Sequence, residues 1–373
     1  MAANVSDDRL LYFAISISLQ GRGKTLFRGC GLHLIFASFM LVHRDLAHLP
    51  HFRNAVVTIG TFDGVHAGHR KIIEQLKSEA EKVHGETVII TFHPHPRKVV
   101  REGQLAVPIL TTLPEKITLL QSLGIDHLVV IPFDAAFSNQ GAEEYIQHFL
   151  WEKFHPHTVI IGYDHKFGKG RCGDYHLLEK YGKQLGFEVK EIPEHVLNEV
   201  IISSTRIREA LLKSDVAAAN KFLSYTYFFE GLVVMGNQLG RTIGYPTANL
   251  EIADKEKLIP GNGVYAVEAE VVRNGHVSDV SSVVSDLGTN LPLTTPHSLK
   301  GMMNIGVRPT VDGTKRTIEV NLFDFDKDIY GQTLRVFIKH YIRGEVKFSG
   351  LDALKAQLAA DKQQALKLLN SEE

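Results

Sequence analysis

The sequence has little cysteine, almost no net charge and no long hydrophobic run, and each shortage excludes a class of protein. Its two cysteines, Cys30 and Cys172, cannot form the disulfide framework of a small secreted domain, so the composition favours a reducing, cytoplasmic setting. The 41 basic and 42 acidic side chains leave a net charge of −1, so no overall field attracts nucleic acid or an anionic membrane. The apolar run at 10–19 is too short for a membrane-spanning helix, which takes roughly twenty residues. We therefore expect no nucleic-acid partner and no membrane partner.

The length of the chain favours two domains, because 373 residues exceed one ordinary core at about 150 residues per domain. The 19 histidines form no H-E-x-x-H or cysteine-rich pattern, so a zinc site is not expected. Residues 1–39 fit neither domain. Acidic residues precede their apolar run, where a secretory signal would place basic ones.

Strand and helix patterns alternate strictly in the first half of the chain. The predicted strands are at 56–59, 87–92, 127–131, 158–161 and 188–192. The predicted helices are at 69–83, 114–123, 141–153, 174–185 and 213–224. This alternation predicts a parallel sheet with helices on both faces, whose ligands bind beyond the carboxyl ends of the strands. Two prolines in the segment 93–97 predict an exposed loop instead of a helix.

The stretch 56–71 reads as a buried strand, a glycine-rich loop and the start of a helix. Glycines in the loop allow a ligand to approach the backbone, and the first turn of a helix offers unpaired N–H groups to an anion. His66 and His69 lie three residues apart, so both imidazoles can face the same phosphoryl oxygens. The motif therefore suits a phosphate group, although a loop without catalytic function has the same composition.

Two further segments of this domain suit a ligand. The glycine-rich loop at 162–171 follows a predicted strand and carries several basic side chains. The string I-S-S-T-R-I-R at 202–208 precedes a helix, which Ser204 or Thr205 can cap. Helix capping alone would also explain the hydroxyl groups of the string at 202–208. A solvated loop without a ligand would likewise explain the glycines at 162–171.

The string G-T-F-D-G-V-H-A-G-H resembles the H-x-G-H signature of nucleotidyltransferases, in the form found in bacterial bifunctional riboflavin kinase/FAD synthetases. The resemblance implies that FMN attacks the α-phosphorus of ATP, so that FAD forms and pyrophosphate leaves. It implies catalytic roles for His66 and His69. It also implies nucleotide or phosphate contacts at Gly60, Phe62, Asp63, Gly64, Gly68, Asp164, Ser203, Ser204, Thr205 and Arg208. Where many relatives have Phe and Arg in the second loop, this chain has His165 and Lys166.

Near Ser224 the alternation of predicted strands and helices ends, and short strands separated by glycine turns follow. This pattern predicts an all-β barrel or sandwich. The predicted strands are at 228–235, 264–272, 302–307, 316–323 and 333–341. One amphipathic helix at 351–369 ends the chain. The polar insertion at 273–298 predicts a long, flexible hairpin tip.

The second domain also carries motifs of the family. Pro246-Thr247-Ala248-Asn249 resembles the P-T-A-N signature of riboflavin kinases, which implies that Thr247 and Asn249 serve a magnesium–nucleotide. Strand alternation places Thr317, Glu319 and Asn321 on one face. The resemblance implies that Glu319 takes the proton from the ribityl hydroxyl of riboflavin. Glycines before the P-T-A-N segment can form a backbone cradle for phosphates, at Gly236, Gly240 and Gly244.

The resemblance as a whole predicts a bifunctional enzyme that makes FMN from riboflavin and FAD from FMN. It implies ATP as co-substrate, Mg²⁺, no tightly bound organic cofactor, and a monomer or weak homo-oligomer. Because relatives begin shortly before a D-L motif, we expect translation to start at Met40, with 1–39 a non-native or irregular extension. The domains are then 40–223, the adenylyltransferase, and 224–373, the kinase. A flavin-binding regulator without turnover is an alternative, and another nucleotidyltransferase would explain the first domain only.

Overall fold

A parallel sheet and a closed barrel follow each other along the chain in the computed structural model. The structure describes residues 24–27, 35–38, 40–100, 107–193, 203–236, 238–272, 298–310 and 313–371. Within residues 1–39, strands β1 (Lys24–Phe27) and β2 (Ile35–Ser38) pair antiparallel as a separate two-stranded sheet. Translation from Met40 stays a prediction.

The first domain is built on a six-stranded sheet whose neighbours all run parallel. Its strands are β3 (Leu41–His43), β4 (Val56–Ile59), β5 (Thr87–His93), β6 (His127–Pro132), β7 (Thr158–Gly162) and β8 (Glu188–Ile192). The five predicted strands are confirmed, and β3 is an additional edge strand. Successive residues of one strand pack into two different hydrophobic clusters, as Val56 and Val57 do, because a strand presents successive side chains to opposite faces.

The strand order, β3-β6-β5-β4-β7-β8, places β4 near the centre of the sheet. From β4 the chain continues to one side through β5 and β6, then returns to the other side for β7 and β8. This change of direction beside β4 is the topological switch point at which open α/β sheets bind ligands. The H-x-G-H loop leaves β4 at that point.

Helical segments alternate with these strands and continue up to the start of the barrel. They are α1 (Ala67–Lys82), α2 (Pro96–Val100), α3 (Leu113–Ser122), α4 (Ala135–Ser138), α5 (Ala142–Glu144), a π-helix (Tyr145–Trp151), α6 (Glu152–Phe154), α7 (Tyr175–Leu185), α8 (Ser204–Leu212) and α9 (Val216–Leu223). The expectation of a loop throughout 93–97 was wrong, because α2 begins at Pro96. Proline fits the first turn of a helix, where its missing N–H has no partner to lose.

Two further expectations about helices need correction. The N-cap of α8 is Ser203, whose hydroxyl accepts a hydrogen bond from the backbone of the first turn, and not Ser204 or Thr205. The segment 213–224 is not one continuous helix. Ser214 adopts a left-handed φ of +62° and Asp215 caps α9, so the chain turns before it becomes helical again.

The second domain is a closed antiparallel barrel in the order β10-β13-β12-β11-β14-β9. Its strands are β9 (Phe228–Val234), β10 (Ala248–Glu251), β11 (Gly263–Val272), β12 (Leu299–Thr310), β13 (Gly313–Leu322) and β14 (Thr333–Arg343). The predicted strands are confirmed, and β10, at the P-T-A-N segment, was missed. The predicted insertion at 273–298 lies outside the described residues except for Ser298.

Helices also occur before, between and after the barrel strands. A short helix, α10 (Leu239–Thr242), precedes the P-T-A-N segment, and α11 (Leu351–Asn370) ends the chain. Ala365 and Leu369 of α11 pack against the barrel, and Asp361 forms an ion pair with Arg343 at 2.6 Å. Helices α8 and α9 share a hydrophobic cluster with the inside of the barrel. A domain boundary at 223/224 stays a prediction.

Candidate active sites

The H-x-G-H loop extends from β4 at the carboxyl edge of the sheet. The backbone N–H of Gly60 donates to the carbonyl of Ile90 at 3.0 Å, which prolongs the pairing of β4 with β5. Phe62 has a φ of +47° and its side chain is buried in the domain's hydrophobic core. A Cβ atom on Gly60 would lie 3.1 Å from this ring. Phe62 therefore anchors the loop from inside the domain.

The two motif histidines stack on each other where the loop meets α1. His66 is the N-cap of α1, and its Nδ1 accepts a hydrogen bond from the backbone N–H of His69 at 3.4 Å. The ring centroids are 3.7 Å apart, with 16° between the ring planes. Because Nδ1 of His66 accepts, Nε2 carries the proton of the neutral ring. Nδ1 of His69 is buried without a hydrogen-bond partner.

The electrostatics of this edge keep its imidazoles neutral. Burial lowers the pKa of His66 to about 4, and it also lowers the pKa of His95, on the loop after β5, to about 4. Burial, with repulsion from His66 and Lys116, lowers the pKa of His69 well below its ordinary value. The ammonium of Lys116 donates to the carbonyl of Thr61 at 2.6 Å, and burial lowers its pKa to about 8. An anion that enters this edge would favour protonation of all these groups.

Asp63 and Gly64 are held by protein partners. Oδ1 of Asp63 accepts hydrogen bonds from the backbone N–H groups of Leu110 at 2.9 Å and Thr111 at 3.1 Å, while Oδ2 forms an ion pair with Arg208. Gly64 has a φ of +83° and donates its N–H to the hydroxyl of Thr111 at 3.0 Å. These contacts fix the loop, and direct phosphate contacts by the two residues stay predictions.

The amino end of α8 meets the same loop. The hydroxyl of Ser204 donates to the carbonyl of Asp63 at 3.1 Å, whereas Ser203 and Thr205 are exposed. Arg208 is 6% exposed, and its Nε donates to a backbone carbonyl at 2.6 Å. Its Nη1 is buried without a hydrogen-bond partner. The structure thus brings this predicted motif together with the H-x-G-H loop.

Gly68 is buried within α1.

The second predicted loop follows β7, which is the neighbour of β4 in the sheet. Asp164 is exposed there, so it is accessible to a ligand. Phe167 is buried and stacks on Tyr145 of the π-helix, with 5.0 Å between ring centroids. Burial lowers the pKa of His165 to about 4, and its Nε2 has no hydrogen-bond partner. The aromatic residue of the motif is therefore structural, while the acidic one faces solvent.

A cavity of about 370 Å³ lies beside the P-T-A-N segment of the barrel. Thr247 and Asn249 both line it. The charged residues of its lining are Arg241, Asp326, Lys327 and Asp328. The cavity therefore combines oxygen donors suited to a hard cation with cationic groups suited to phosphates.

Glu319 lies next to this cavity, outside its lining. On β13 it is directly opposite Asn249 of β10, so the two side chains share one face of the sheet. Its neighbours Ile318 and Val320 are buried in the barrel core, as the predicted alternation requires. Asn321 is buried and donates from Nδ2 to the carbonyl of Pro246 at 2.6 Å, which fixes the P-T-A-N segment.

The three glycines before this segment have different roles. A Cβ atom on Gly236 would lie 2.2 Å from Nδ2 of Asn249, and one on Gly240 would lie 2.2 Å from the carbonyl oxygen of Tyr245. Gly244 has a φ of +85°, and a Cβ atom there would meet open space. The first two allow protein groups to approach closely, and the third permits a left-handed turn. Their phosphate contacts stay predictions.

Sequence reasoning missed Lys116 as part of the first site. This residue lies on the buried stripe of α3, three residues after Leu113 and four before Leu120. A lysine at a position that a helical pattern reserves for an apolar residue was the signal for it. The contacts of Asp63 with Leu110 and Thr111 had no such local signal.

Fold and sites together define a class of protein: a Rossmann-like nucleotidyltransferase domain followed by a riboflavin-kinase-type barrel. Two family models match accordingly, FAD synthetase over residues 49–206 and riboflavin kinase over residues 223–369. No helix in the part of the chain that the structure describes has the length and apolar character to cross a membrane.

Curated relatives identify the family. The bifunctional riboflavin kinase/FMN adenylyltransferase of Escherichia coli (strain K12) is 36% identical over 317 residues, which are 85% of this chain and 93% of that protein. The protein of the same name from Haemophilus influenzae is 35% identical over 319 residues, 86% of this chain and 96% of that one. The chain belongs to the family of bifunctional riboflavin kinase/FMN adenylyltransferases. It phosphorylates riboflavin to FMN with ATP and adenylylates FMN to FAD, with release of pyrophosphate.

A crystal structure named as a macrolide-efflux protein from Streptococcus pneumoniae has the same fold over most of both chains. It is 29% identical to this chain, with a TM-score of 0.73. The likeness covers 87% of this chain and 98% of that one. The arrangement of sheet and barrel is therefore shared beyond this protein.

Proposed function

We propose that the H-x-G-H loop is the adenylylation site and that the cavity beside Thr247 and Asn249 is the riboflavin kinase site. The observation that carries the first assignment is the stacked pair of His66 and His69 at the switch point of the sheet. Switch points of parallel sheets are where such folds bind nucleotides.

In the adenylylation site, a phosphate oxygen of FMN forms a bond to the α-phosphorus of ATP, and the bond to the bridging oxygen of pyrophosphate breaks. Negative charge increases on the oxygens around the α-phosphorus and on the leaving group. Nε2–H of His66 and the ring of His69 would stabilise the first, since donors that are fixed in place need no reorganisation during the reaction. Arg208, whose Nη1 has no partner, would bind the second.

The neutral state of these imidazoles supports this assignment. Burial lowers the pKa values of His66 and His69, so both rings are neutral beside the cationic Lys116 and Arg208. A triphosphate would supply the missing counter-charge and raise the same pKa values. Binding of ATP would then favour proton uptake by these rings, while release of pyrophosphate would return the protons.

In the kinase site, the 5′-hydroxyl oxygen of riboflavin forms a bond to the γ-phosphorus, and the bond between that phosphorus and ADP breaks. Glu319 would take the hydroxyl proton as general base. Its place opposite Asn249 brings the carboxylate beside the cavity. The oxygen donors of Thr247 and Asn249 fit Mg²⁺, which when bound neutralises charge on the phosphates.

A monomer or weak homo-oligomer in the cytoplasm stays a prediction of the sequence.

Two variants test which site performs which reaction. His69→Ala removes a group at the α-phosphorus and should slow FMN adenylylation by roughly a hundredfold to a thousandfold, so that FMN accumulates from riboflavin. Glu319→Gln keeps the shape but removes the base, so riboflavin phosphorylation should fall by roughly a hundredfold. FMN supplied to this second variant should still become FAD. Chromatography of the flavins made with Mg-ATP measures both.

Matched controls separate these effects from general damage. His176→Ala changes an exposed histidine of α7, and Glu251→Gln changes an exposed glutamate of β10. Both should leave the two reactions near their original rates. If Glu319→Gln stopped adenylylation of supplied FMN and spared the kinase, the assignment of sites to reactions would be wrong.

A further inference from the structure

Residues 108–111 lie between the two domains and touch both of them. On the barrel side, Ile109 forms a parallel β-bridge with Lys257. The N–H of Ile109 donates to the carbonyl of Glu256 at 2.8 Å, and its carbonyl accepts from the N–H of Leu258 at 2.8 Å. The barrel therefore holds the backbone of this segment directly.

The side chain of Lys257 adds a second hold on the same segment. Its ammonium donates to the carbonyl of Leu110 at 2.7 Å, the carboxylate of Glu115 at 2.6 Å and the carbonyl of Phe228 at 2.9 Å. A lysine has three N–H donors, so all of them are used. The side chains of Lys257 and Glu115 are each 1% exposed. Both charged groups are therefore shielded from water in the folded protein.

The opposite side of the segment holds the H-x-G-H loop. The peptide group between Leu110 and Thr111 accepts from Lys257 through its carbonyl and donates its N–H to Asp63 at 3.1 Å. Lys116, the residue after Glu115, donates to the carbonyl of Thr61 at 2.6 Å. A displacement of Lys257 would thus be transmitted to the loop by two routes. One runs through the backbone of Leu110 to Asp63, and the other runs through Glu115 and its neighbour Lys116 to Thr61.

We propose that Lys257, a residue of the kinase barrel, is a positioning residue for FMN adenylylation. It fixes Leu110 and Glu115, and through them it sets where the H-x-G-H loop holds its two histidines. The inference rests on the proposed assignment of that loop as the adenylylation site. Because a misplacement of about 1 Å can cost roughly a hundredfold in rate, a modest shift of the loop is sufficient for a large effect.

The alternative is that the ion pair only holds the domains together. In that case its loss would damage the barrel first, because Lys257 also donates to Phe228 of β9. The proposal predicts instead that FMN adenylylation, the reaction of the neighbouring domain, becomes slower. Riboflavin phosphorylation, the reaction of the barrel that contains Lys257, should be retained. The two reactions of one protein therefore provide the discriminating measurement.

The test uses the double variant Lys257→Met/Glu115→Gln in the full chain. Replacing both partners avoids an unpaired buried charge, and glutamine keeps the capping contact with the backbone of Thr112. We expect kcat for adenylylation of FMN to fall by roughly tenfold to a hundredfold, with KM for ATP changed less. Riboflavin phosphorylation should stay within about twofold. Lys257→Gln/Glu115→Gln, which keeps a side-chain donor near Leu110, should recover part of the loss.

The control is Arg343→Met, which breaks the ion pair with Asp361 between the barrel and α11. It should lower stability without a selective loss of adenylylation. Unchanged adenylylation in both double variants would overturn the proposal, and so would a parallel loss of both reactions in both. If His69→Ala leaves adenylylation intact, the site assignment itself fails. If His69→Ala stops adenylylation while the double variants retain it, only the role of Lys257 fails.

Discussion

Asp63→Asn is the substitution whose effect the structure defines most sharply. The carboxylate is buried and meets three groups: the backbone N–H groups of Leu110 and Thr111 at one oxygen, and Arg208 at the other. Asparagine offers one carbonyl oxygen and no charge. If that oxygen keeps the two backbone groups, its NH₂ group faces the guanidinium. Arg208, whose side chain is 7% exposed, then stays buried beside a donor.

The expected cost follows from this unpaired charge. Removing one partner of a buried ion pair typically costs about 3–5 kcal/mol, because the remaining charge is neither solvated nor neutralised. At roughly 2–4 °C per kcal/mol for a domain of this size, the thermal midpoint of the first domain should fall by roughly 6–20 °C. The double variant Asp63→Asn/Arg208→Met removes the orphaned charge and should recover much of that stability.

Calorimetry and urea unfolding of the wild type, both single variants and the double variant give the coupling energy of the pair. Below the lowered midpoint, Asp63→Asn should lose adenylylation, because the loop is no longer held, and should keep riboflavin phosphorylation. A loss of stability under about 1 kcal/mol would refute the reasoning. If such a variant instead showed a raised KM for ATP, Asp63 would contact the nucleotide, in agreement with the nucleotide or phosphate contact that the sequence resemblance implied.

Two other predictions concern the kinase site and the buried histidines. Gly236→Ala would place a Cβ atom 2.2 Å from Nδ2 of Asn249, so riboflavin phosphorylation should fall by roughly a hundredfold. Gly244→Ala meets open space and should cost only about 1–2 kcal/mol of backbone strain, and equal losses in both variants would contradict this difference. The pKa values of His66 and His165 are near 4 when folded and about 6.5 when unfolded, so the unfolded chain binds protons first as pH falls. Stability should therefore decline from pH 6.5 towards pH 4, by up to about 1.4 kcal/mol per pH unit for each group, and urea unfolding that shows no slope would contradict their burial.

Local patterns predicted the parts of the fold that depend on neighbouring residues. The strand at 188–192 is observed as β8 (Glu188–Ile192), and the start of α1 lies within two residues of its predicted position. Hydrophobic runs and glycine turns carry this information because burial and backbone freedom are properties of short segments. The proximity of His66 and His69 likewise follows from their spacing at the start of a helix, whereas the stacking of their rings was not predicted.

The parts that were missed depend on contacts between distant residues. Asp63 accepts a hydrogen bond from Leu110, 47 residues away in sequence, and pairs with Arg208, 145 residues away. A pattern within one short segment cannot predict such pairs. Strand β10 has four residues and follows Pro246, so it offers too short a run for alternation to be visible. Phe62 is buried with a φ of +47°, and its ring centroid lies 5.0 Å from that of His69, so its ligand contact stays a prediction.

The contacts of residues 108–111 with both domains suggest one framework for two reactions that are separate in chemistry. We assign His69 and Glu319 to different proposed sites, so a change at either should affect one reaction. The groups that hold them are shared, since α8 and α9 precede the barrel in sequence yet pack in its hydrophobic cluster. Lys257 of the barrel likewise reaches the peptide that holds Asp63. The domain that contains a reacting side chain therefore indicates which reaction that side chain performs. The domain that contains a positioning residue such as Lys257 does not, because its contacts reach the other domain.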